Sequence, residues 1–180
     1  MSVASPNDIL FPIIKDKTTQ NFWLKPQLDI SPTINGKMDS FFEWMGCGVI
    51  DESKLFSTMD KERGEVKKIR YGEDNEKIYF SFEIKRKKFC QIYTIDILIE
   101  PLNIKGTINF KDEKTFIGNL EVEVVCGNCI EMAIDKTKID IDEISIRFEL
   151  IQDGSVIQIL PGFGELKIDL GNDYSQNWFV

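Results

Sequence analysis

The segment KIYFSFEI, residues 77–84, decides the fold class. Ile78, Phe80 and Phe82 alternate with Tyr79 and Ser81. A strand sends successive side chains to opposite faces, so this alternation predicts a half-buried β-strand with one strongly apolar face. Tyr79 lies on the other face, where we expect it to be exposed.

Short segments of the same kind fill the rest of the chain. Turn dipeptides such as Gly127-Asn128 and Asp153-Gly154 separate them, and these residues tolerate the positive φ angles that hairpins need. Strands at a spacing of about 8–12 residues predict an all-β protein, an antiparallel β-sandwich or jelly roll of about ten strands with one short helical turn. The expected strands cover residues 28–34, 67–71, 77–84, 89–100, 105–110, 119–125, 129–134, 142–151, 155–160 and 165–170.

The N-terminal part of the chain lacks this regularity. Pro6, Pro12 and Pro26 interrupt residues 1–26, which we expect to form an irregular segment packing on the sandwich or on a partner. The apolar stretch at residues 9–14 fits a groove on either. Residues 27–180 are expected to form a single sandwich domain, since the chain is long enough for one full core.

One aromatic stretch follows a turn near residue 35. Asn35-Gly36 predicts a tight turn, and Asp39 is a candidate N-cap for the N–H groups that follow it. Four large apolar side chains then occur within five residues. We expect them to close one end of the sandwich as a plug rather than to bind a ligand: they are Phe41, Phe42, Trp44 and Met45.

Charge and composition exclude several functions. The net charge of −8 and the pI of about 4.7 disfavour binding to nucleic acids and to anionic membranes. The absence of histidine removes Ser-His-Asp and Cys-His catalysis and the commonest metal ligand. The first residues carry no basic and apolar leader pattern, which favours a cytoplasmic protein.

The four cysteines give no metal or redox motif. Cys126 and Cys129 form a CxxC across the expected hairpin turn, where no helix N-terminus lowers a thiol pKa. We expect reduced, buried cysteines and an inert turn, with a disulfide across the turn as the alternative. The acidic stretches 51–52 and 73–75 are candidate calcium ligands but are more often plain turns. We predict no cofactor and no metal.

Aromatic rings remain as the candidate binding groups. The apolar C–H face of a sugar stacks on Trp or Tyr, while nearby carboxylates and amides bind its hydroxyl groups. We select as candidate carbohydrate-binding residues Trp23, Tyr79, Tyr93 and Trp178.

The order of several motifs resembles the C-terminal region of family 57 glycoside hydrolases, enzymes that act on α-glucans. The matching segments are NFWLKPQLDI at 21–30, PTING at 32–36, FFEWMG at 41–46, IRYG at 69–72, KIYFSF at 77–82, GFGEL at 162–166 and WFV at 178–180. The shorter pattern around residues 34–44 is also similar to family 9 carbohydrate-binding modules, which are β-sandwiches.

The resemblance implies an accessory role. In family 57 enzymes the catalytic Glu and Asp lie on an N-terminal (β/α)₇ barrel, which no part of this chain resembles, so no catalytic residue carries over. The resemblance therefore implies a non-catalytic accessory domain that binds an α-glucan or oligosaccharide, takes part in polysaccharide metabolism and has the catalytic barrel as its partner. The alternative is a structural module that docks on the barrel without affinity for sugar.

Overall fold

A computed structural model describes residues 22–37, 41–55 and 64–171. Two antiparallel sheets pack face to face, which confirms the predicted all-β sandwich. No helix in these ranges is long and apolar enough to cross a membrane.

Twelve strands and one short helix account for the regular structure of the described residues. The helix α1 spans Phe89–Ile92, and two 3₁₀ turns cover Phe42–Trp44 and Glu52–Lys54. The strands are β1 Trp23–Leu24, β2 Gly48–Asp51, β3 Val66–Glu73, β4 Lys77–Ile84, β5 Thr94–Glu100, β6 Ile104–Ile108, β7 Lys114–Ile117, β8 Leu120–Cys126, β9 Ile130–Asp135, β10 Glu143–Gln152, β11 Ser155–Leu160 and β12 Leu166–Asp169.

The larger sheet consists of two runs of strands that follow one another in the sequence, β1 to β4 and β7 to β9. The seven-stranded sheet has the order β1-β2-β3-β4-β9-β8-β7, and the five-stranded sheet has β11-β10-β5-β6 with β12 paired to the first half of β10. The β4–β9 pairing joins the two runs of the larger sheet through long-range contacts.

Aromatic rings from the two sheets meet at the centre of the core. Phe80 and Phe82 of β4 both lie 5.0 Å, centroid to centroid, from the ring of Phe148 in β10, in edge-to-face geometry. All three side chains are fully buried. The apolar face predicted for residues 77–84 is therefore the centre of the core, and edge-to-face contacts of this kind stabilise it beyond the area they bury.

Four sequence predictions need correction. Residues 28–34 form no strand but an extended segment lying across the larger sheet. Residues 89–92 are helical because Phe89 fills the core while Tyr93 donates its N–H to the Phe89 carbonyl. The charged turn at 111–114 leads into β7, which was not predicted. Trp23–Leu24, within the segment expected to be irregular, is a short strand that pairs with β2.

Candidate functional site

On the outer face of the larger sheet, one row of residues is covered by the segment around Ile30. Gly72, Tyr79 and Ala133 are neighbours across β3, β4 and β9. Ile30 lies over them: a Cβ added at Gly72 would be 2.7 Å from Ile30 Cδ1, and the Ile30 N–H donates to the Glu73 carbonyl at 3.0 Å. The segment around Ile30 thus seals this row into a small second core.

The next row of outer-face residues, two positions along the same strands, lies at the bottom of a groove. Its members pair in register from β2 to β9 and form the floor of the groove: Val49, Arg70, Ser81 and Glu131. Phe41, Trp44 and Met45 form its wall. The volume is about 330 Å³, at the small end of the ~300–1,000 Å³ typical of small-molecule sites. We call this feature the outer groove.

Glu131 fixes the turn beside the outer groove. The carboxylate accepts the N–H groups of Asn35 and Gly36 at Oε2, at 2.8 and 2.9 Å. The Gly36 carbonyl in turn accepts the Asn128 N–H at 2.8 Å. Gly36 has a φ of +71°, which glycine adopts without steric cost. The predicted turn at Asn35-Gly36 is therefore present and is bound to the β8–β9 hairpin.

The aromatic stretch after this turn is not the expected plug. Phe41 and Phe42 are 76% and 79% exposed, and Met45 is 53% exposed. The plug prediction is wrong because the inner face of the sheet is already filled, so the 3₁₀ turn lies on the outer face. Trp44 alone packs partly against the second core. The Asp39 N-cap lies outside the described residues.

Charge and hydrogen-bonding groups on the groove floor have defined partners. The Arg70 guanidinium lies 3.7 Å from Glu83 Oε2, which makes a loose ion pair. Burial raises the pKa of the Cys47 thiol at the groove edge, so the thiol is protonated and is a poor nucleophile. Ser81 and Glu131 are each only 2% exposed, so the Arg70 guanidinium is the main polar group that the groove floor presents to a ligand, beside the apolar side chains of the wall.

Trp23 is engaged in packing. Its ring stacks on Phe163 at a centroid distance of 5.1 Å, and Lys25 Nζ lies 5.8 Å from the ring centroid. Its Nε1–H donates to the Tyr71 hydroxyl at 2.7 Å. These contacts use the ring and the polar edge of Trp23, so they favour a structural role over sugar stacking.

The two predicted tyrosines are buried. Tyr79 is only 5% exposed because Ile30 covers it, so its expected exposure is wrong. Burial and a 2.7 Å hydrogen bond from its hydroxyl to Asp74 Oδ2 raise the pKa of Tyr79 to about 12. Tyr93 lies in the main core with its ring 4.7 Å from that of Phe89, and burial raises its pKa. Trp178 lies outside the described residues.

The groove residues that the sequence analysis missed are Arg70, Ser81 and Glu131. The alternation in β3 and β4 already places Arg70 and Ser81 on the outer face, opposite the apolar residues. Glu131 joins them only through the β4–β9 pairing, and no local pattern encodes that register.

A larger concavity at one end of the sandwich is a weaker candidate. It has a volume of about 970 Å³ and a mainly acidic lining that includes Asp29, Asp140 and Asp142. Burial raises the pKa of Glu73 there, and the ammonium of Lys136, 2.6 Å from Glu73 Oε2, opposes the rise. Among the described residues no cluster of carboxylates or cysteines is arranged to hold a metal ion.

The predicted plain turn at residues 73–75 is confirmed. Asp74 Oδ1 accepts the backbone N–H groups of Glu76 and Lys77, both at 2.8 Å. Its other carboxylate oxygen accepts the Tyr79 hydroxyl, so both oxygens of Asp74 are already used within the protein.

The cysteines differ from the prediction. Cys90 of α1 and Cys126 of β8 form a disulfide with a Cα–Cα distance of 6.3 Å, so neither is the reduced thiol that was expected. Cys126 pairs with Ile130 across the hairpin, which directs it away from Cys129 and explains why the CxxC is not bridged. Cys47 and Cys129 remain thiols.

Comparison with known proteins adds no identification. No protein-family model, no curated protein and no solved structure matches the chain significantly.

Proposed function

We propose that this protein is a non-catalytic accessory β-sandwich module of an α-glucan-processing enzyme and that it binds carbohydrate in the outer groove. The observation that supports the proposal is the groove itself, where the exposed ring of Phe41 and the half-buried ring of Trp44 stand beside the Arg70 guanidinium. The resemblance of the motif order to that of family 57 glycoside hydrolases favours α-glucans. It also favours a catalytic barrel as the partner domain.

The geometry suits a neutral sugar. The C–H face of a glucose unit packs against Phe41 and Trp44, while its hydroxyl groups bond to the Arg70 guanidinium. Arg70 comes from a strand that is paired on both sides, so its backbone is held in place before ligand arrives. The Glu83 carboxylate, 3.7 Å from Arg70, partly offsets the charge of the guanidinium, which favours an uncharged ligand over an anionic one.

Isothermal titration with maltoheptaose tests the proposal. We expect binding by the unmodified chain and at least ~10-fold weaker binding by Arg70→Ala, because a lost hydrogen bond to a charged group costs about 1.5–3 kcal/mol. Lys67→Ala is the matched control, since Lys67 is an exposed cation of the same strand outside the groove. Absence of heat at millimolar maltoheptaose, or equal affinity of all three proteins, would contradict the proposal.

Docking on a catalytic barrel is the second candidate function. Phe42 favours it because this ring is largely exposed and does not line the groove. Sugar binding depends on Phe41, whereas docking without sugar affinity depends on Phe42. Comparing Phe41→Ser with Phe42→Ser for maltoheptaose binding and for association with a separately expressed family 57 barrel distinguishes the two. The cytoplasmic location expected from the sequence stays a prediction.

A further inference from the structure

We propose that the Cys90–Cys126 disulfide regulates the outer groove, so that oxidation holds the turn beside the groove in place and reduction loosens it. The inference rests on the proposed function insofar as carbohydrate is the ligand of the groove. The cysteines are half-buried rather than sealed in the core, so a small reductant can reach them.

The link from disulfide to groove is short and continuous. Cys126 is the last residue of β8, and the next three residues form the tip of the β8–β9 hairpin. At this tip the N–H of Asn128 donates to the Gly36 carbonyl at 2.8 Å. A Cβ added at Gly127 would lie 2.5 Å from the same oxygen, so hairpin and turn are in direct contact.

The turn at Asn35-Gly36 is also bonded to the groove floor. Its two N–H groups bond to Glu131 of the groove floor. The disulfide ties the hairpin tip to α1, where Phe89 is fully buried and acts as the anchor. A covalent bond thus joins a fixed point of the core to the hairpin that holds the turn.

The chemical step is ordinary thiol–disulfide exchange with a dithiol reductant. A thiolate of the reductant attacks one sulfur of the bridge, and the other cysteine leaves as a thiolate that takes up a proton. The second thiol of the reductant then displaces the first cysteine. Two electrons and two protons pass to Cys90 and Cys126, and the reductant becomes a cyclic disulfide. The hairpin keeps its β8–β9 hydrogen bonds but loses its tie to α1.

We call the restraint that the Cys90–Cys126 disulfide places on the hairpin and the turn the clamp. Amide hydrogen exchange measured by NMR tests it, with dithiothreitol as the reductant. We expect the amides of Asn128, Asn35 and Gly36 to exchange at least ~10-fold faster after reduction, since local opening governs exchange at such sites. The Lys77 amide is the internal control: Asp74 holds it in a separate turn at the far end of β4, and its rate should not change.

Variants separate the clamp from general effects of the reductant. Cys90→Ser/Cys126→Ser should exchange like the reduced protein and ignore dithiothreitol, while Cys47→Ser should respond like the unmodified chain. Mass spectrometry of the oxidised protein should show the 90–126 linkage. Unchanged exchange at the three amides, or a 126–129 linkage in its place, would overturn the clamp.

Titration with maltoheptaose in both redox states completes the test. We expect the dissociation constant to rise at least ~3-fold on reduction, in parallel with the faster exchange. Binding that is equal in both states overturns regulation of the groove. Absence of binding in both states overturns the proposed function instead, and amide exchange still decides whether the clamp exists.

Discussion

Replacing Glu52 with glutamine removes a buried carboxyl group whose ionisation should make the stability of the sandwich depend on pH. Glu52 is fully buried, and both of its carboxylate oxygens lie within hydrogen-bond distance of the Gly162 N–H, at 3.1 and 3.0 Å. The Gly162 loop carries Phe163, whose ring stacks on Trp23. Glu52 thus holds a loop that packs against the edge of the larger sheet.

The size of the effect follows from the pKa of this carboxyl. Burial raises the pKa of Glu52 from about 4.5 to about 7, although the Gly162 N–H partly offsets the rise. The pKa of Glu52 is higher in the folded state than in the unfolded chain. Its contribution to the free energy of unfolding is therefore complete below about pH 4.5 and is lost as the pH rises through about 7. Between about pH 5 and pH 8 the loss amounts to about 2–3 kcal/mol.

Urea unfolding of both proteins at these two pH values measures the effect. The difference in unfolding free energy between the unmodified chain and Glu52→Gln should change by about 2–3 kcal/mol, with the variant favoured at the higher pH. Glu143→Gln, at an exposed position of β10, should show no such change. A difference that stays constant between the two pH values would refute the assignment of a buried, protonatable Glu52.

Three further predictions concern the turn beside the groove and its supports. Gly127→Ala should destabilise the fold by about 1–3 kcal/mol in urea unfolding, because its Cβ would lie 2.5 Å from the Gly36 carbonyl oxygen. Cys90→Ser/Cys126→Ser should lower the midpoint of thermal unfolding by roughly 10 °C under oxidising conditions, since closing a loop of this length stabilises by about 3–4 kcal/mol. Glu131→Ala should cost about 1–3 kcal/mol in urea unfolding because two N–H groups lose their acceptor.

Each of these predictions has a matched control. Gly171→Ala should be nearly neutral, since its Cβ would meet no atom closer than 3.6 Å. Cys47→Ser leaves the disulfide intact and should keep the thermal midpoint. Ser81→Ala removes a hydroxyl from the same groove floor and should cost less than Glu131→Ala. A Gly127→Ala protein as stable as the Gly171→Ala control would contradict the close contact between hairpin and turn.

The sequence predicted the fold because most strands in this chain are locally encoded. Residues 77–84 and 155–160 match β4 and β11 to the residue, since alternating apolar side chains and adjacent turns define them. Residues 28–34 resemble a strand in composition but pair with no neighbour. Their apolar residue Ile30 instead covers Tyr79 on the outer face, a long-range contact that no local pattern contains.

The candidate site was harder to predict from the sequence, because it also depends on long-range contacts. Exposure of Tyr79 depends on a segment nearly fifty residues away in the chain. The outer groove needs the register of four strands, which brings Arg70, Ser81 and Glu131 into one row. The aromatic stretch at residues 41–45 was noticed, but its placement outside rather than inside depends on how full the core already is.

An NMR titration with maltoheptaose tests the central claim most directly. If the outer groove binds carbohydrate, the largest amide shifts should map to Val49, Arg70, Ser81 and Glu131, with the Trp44 indole N–H shifting alongside them. Arg70→Ala should reduce all of these shifts together. Shifts confined to other parts of the sandwich, or no shifts at millimolar maltoheptaose, would contradict the account.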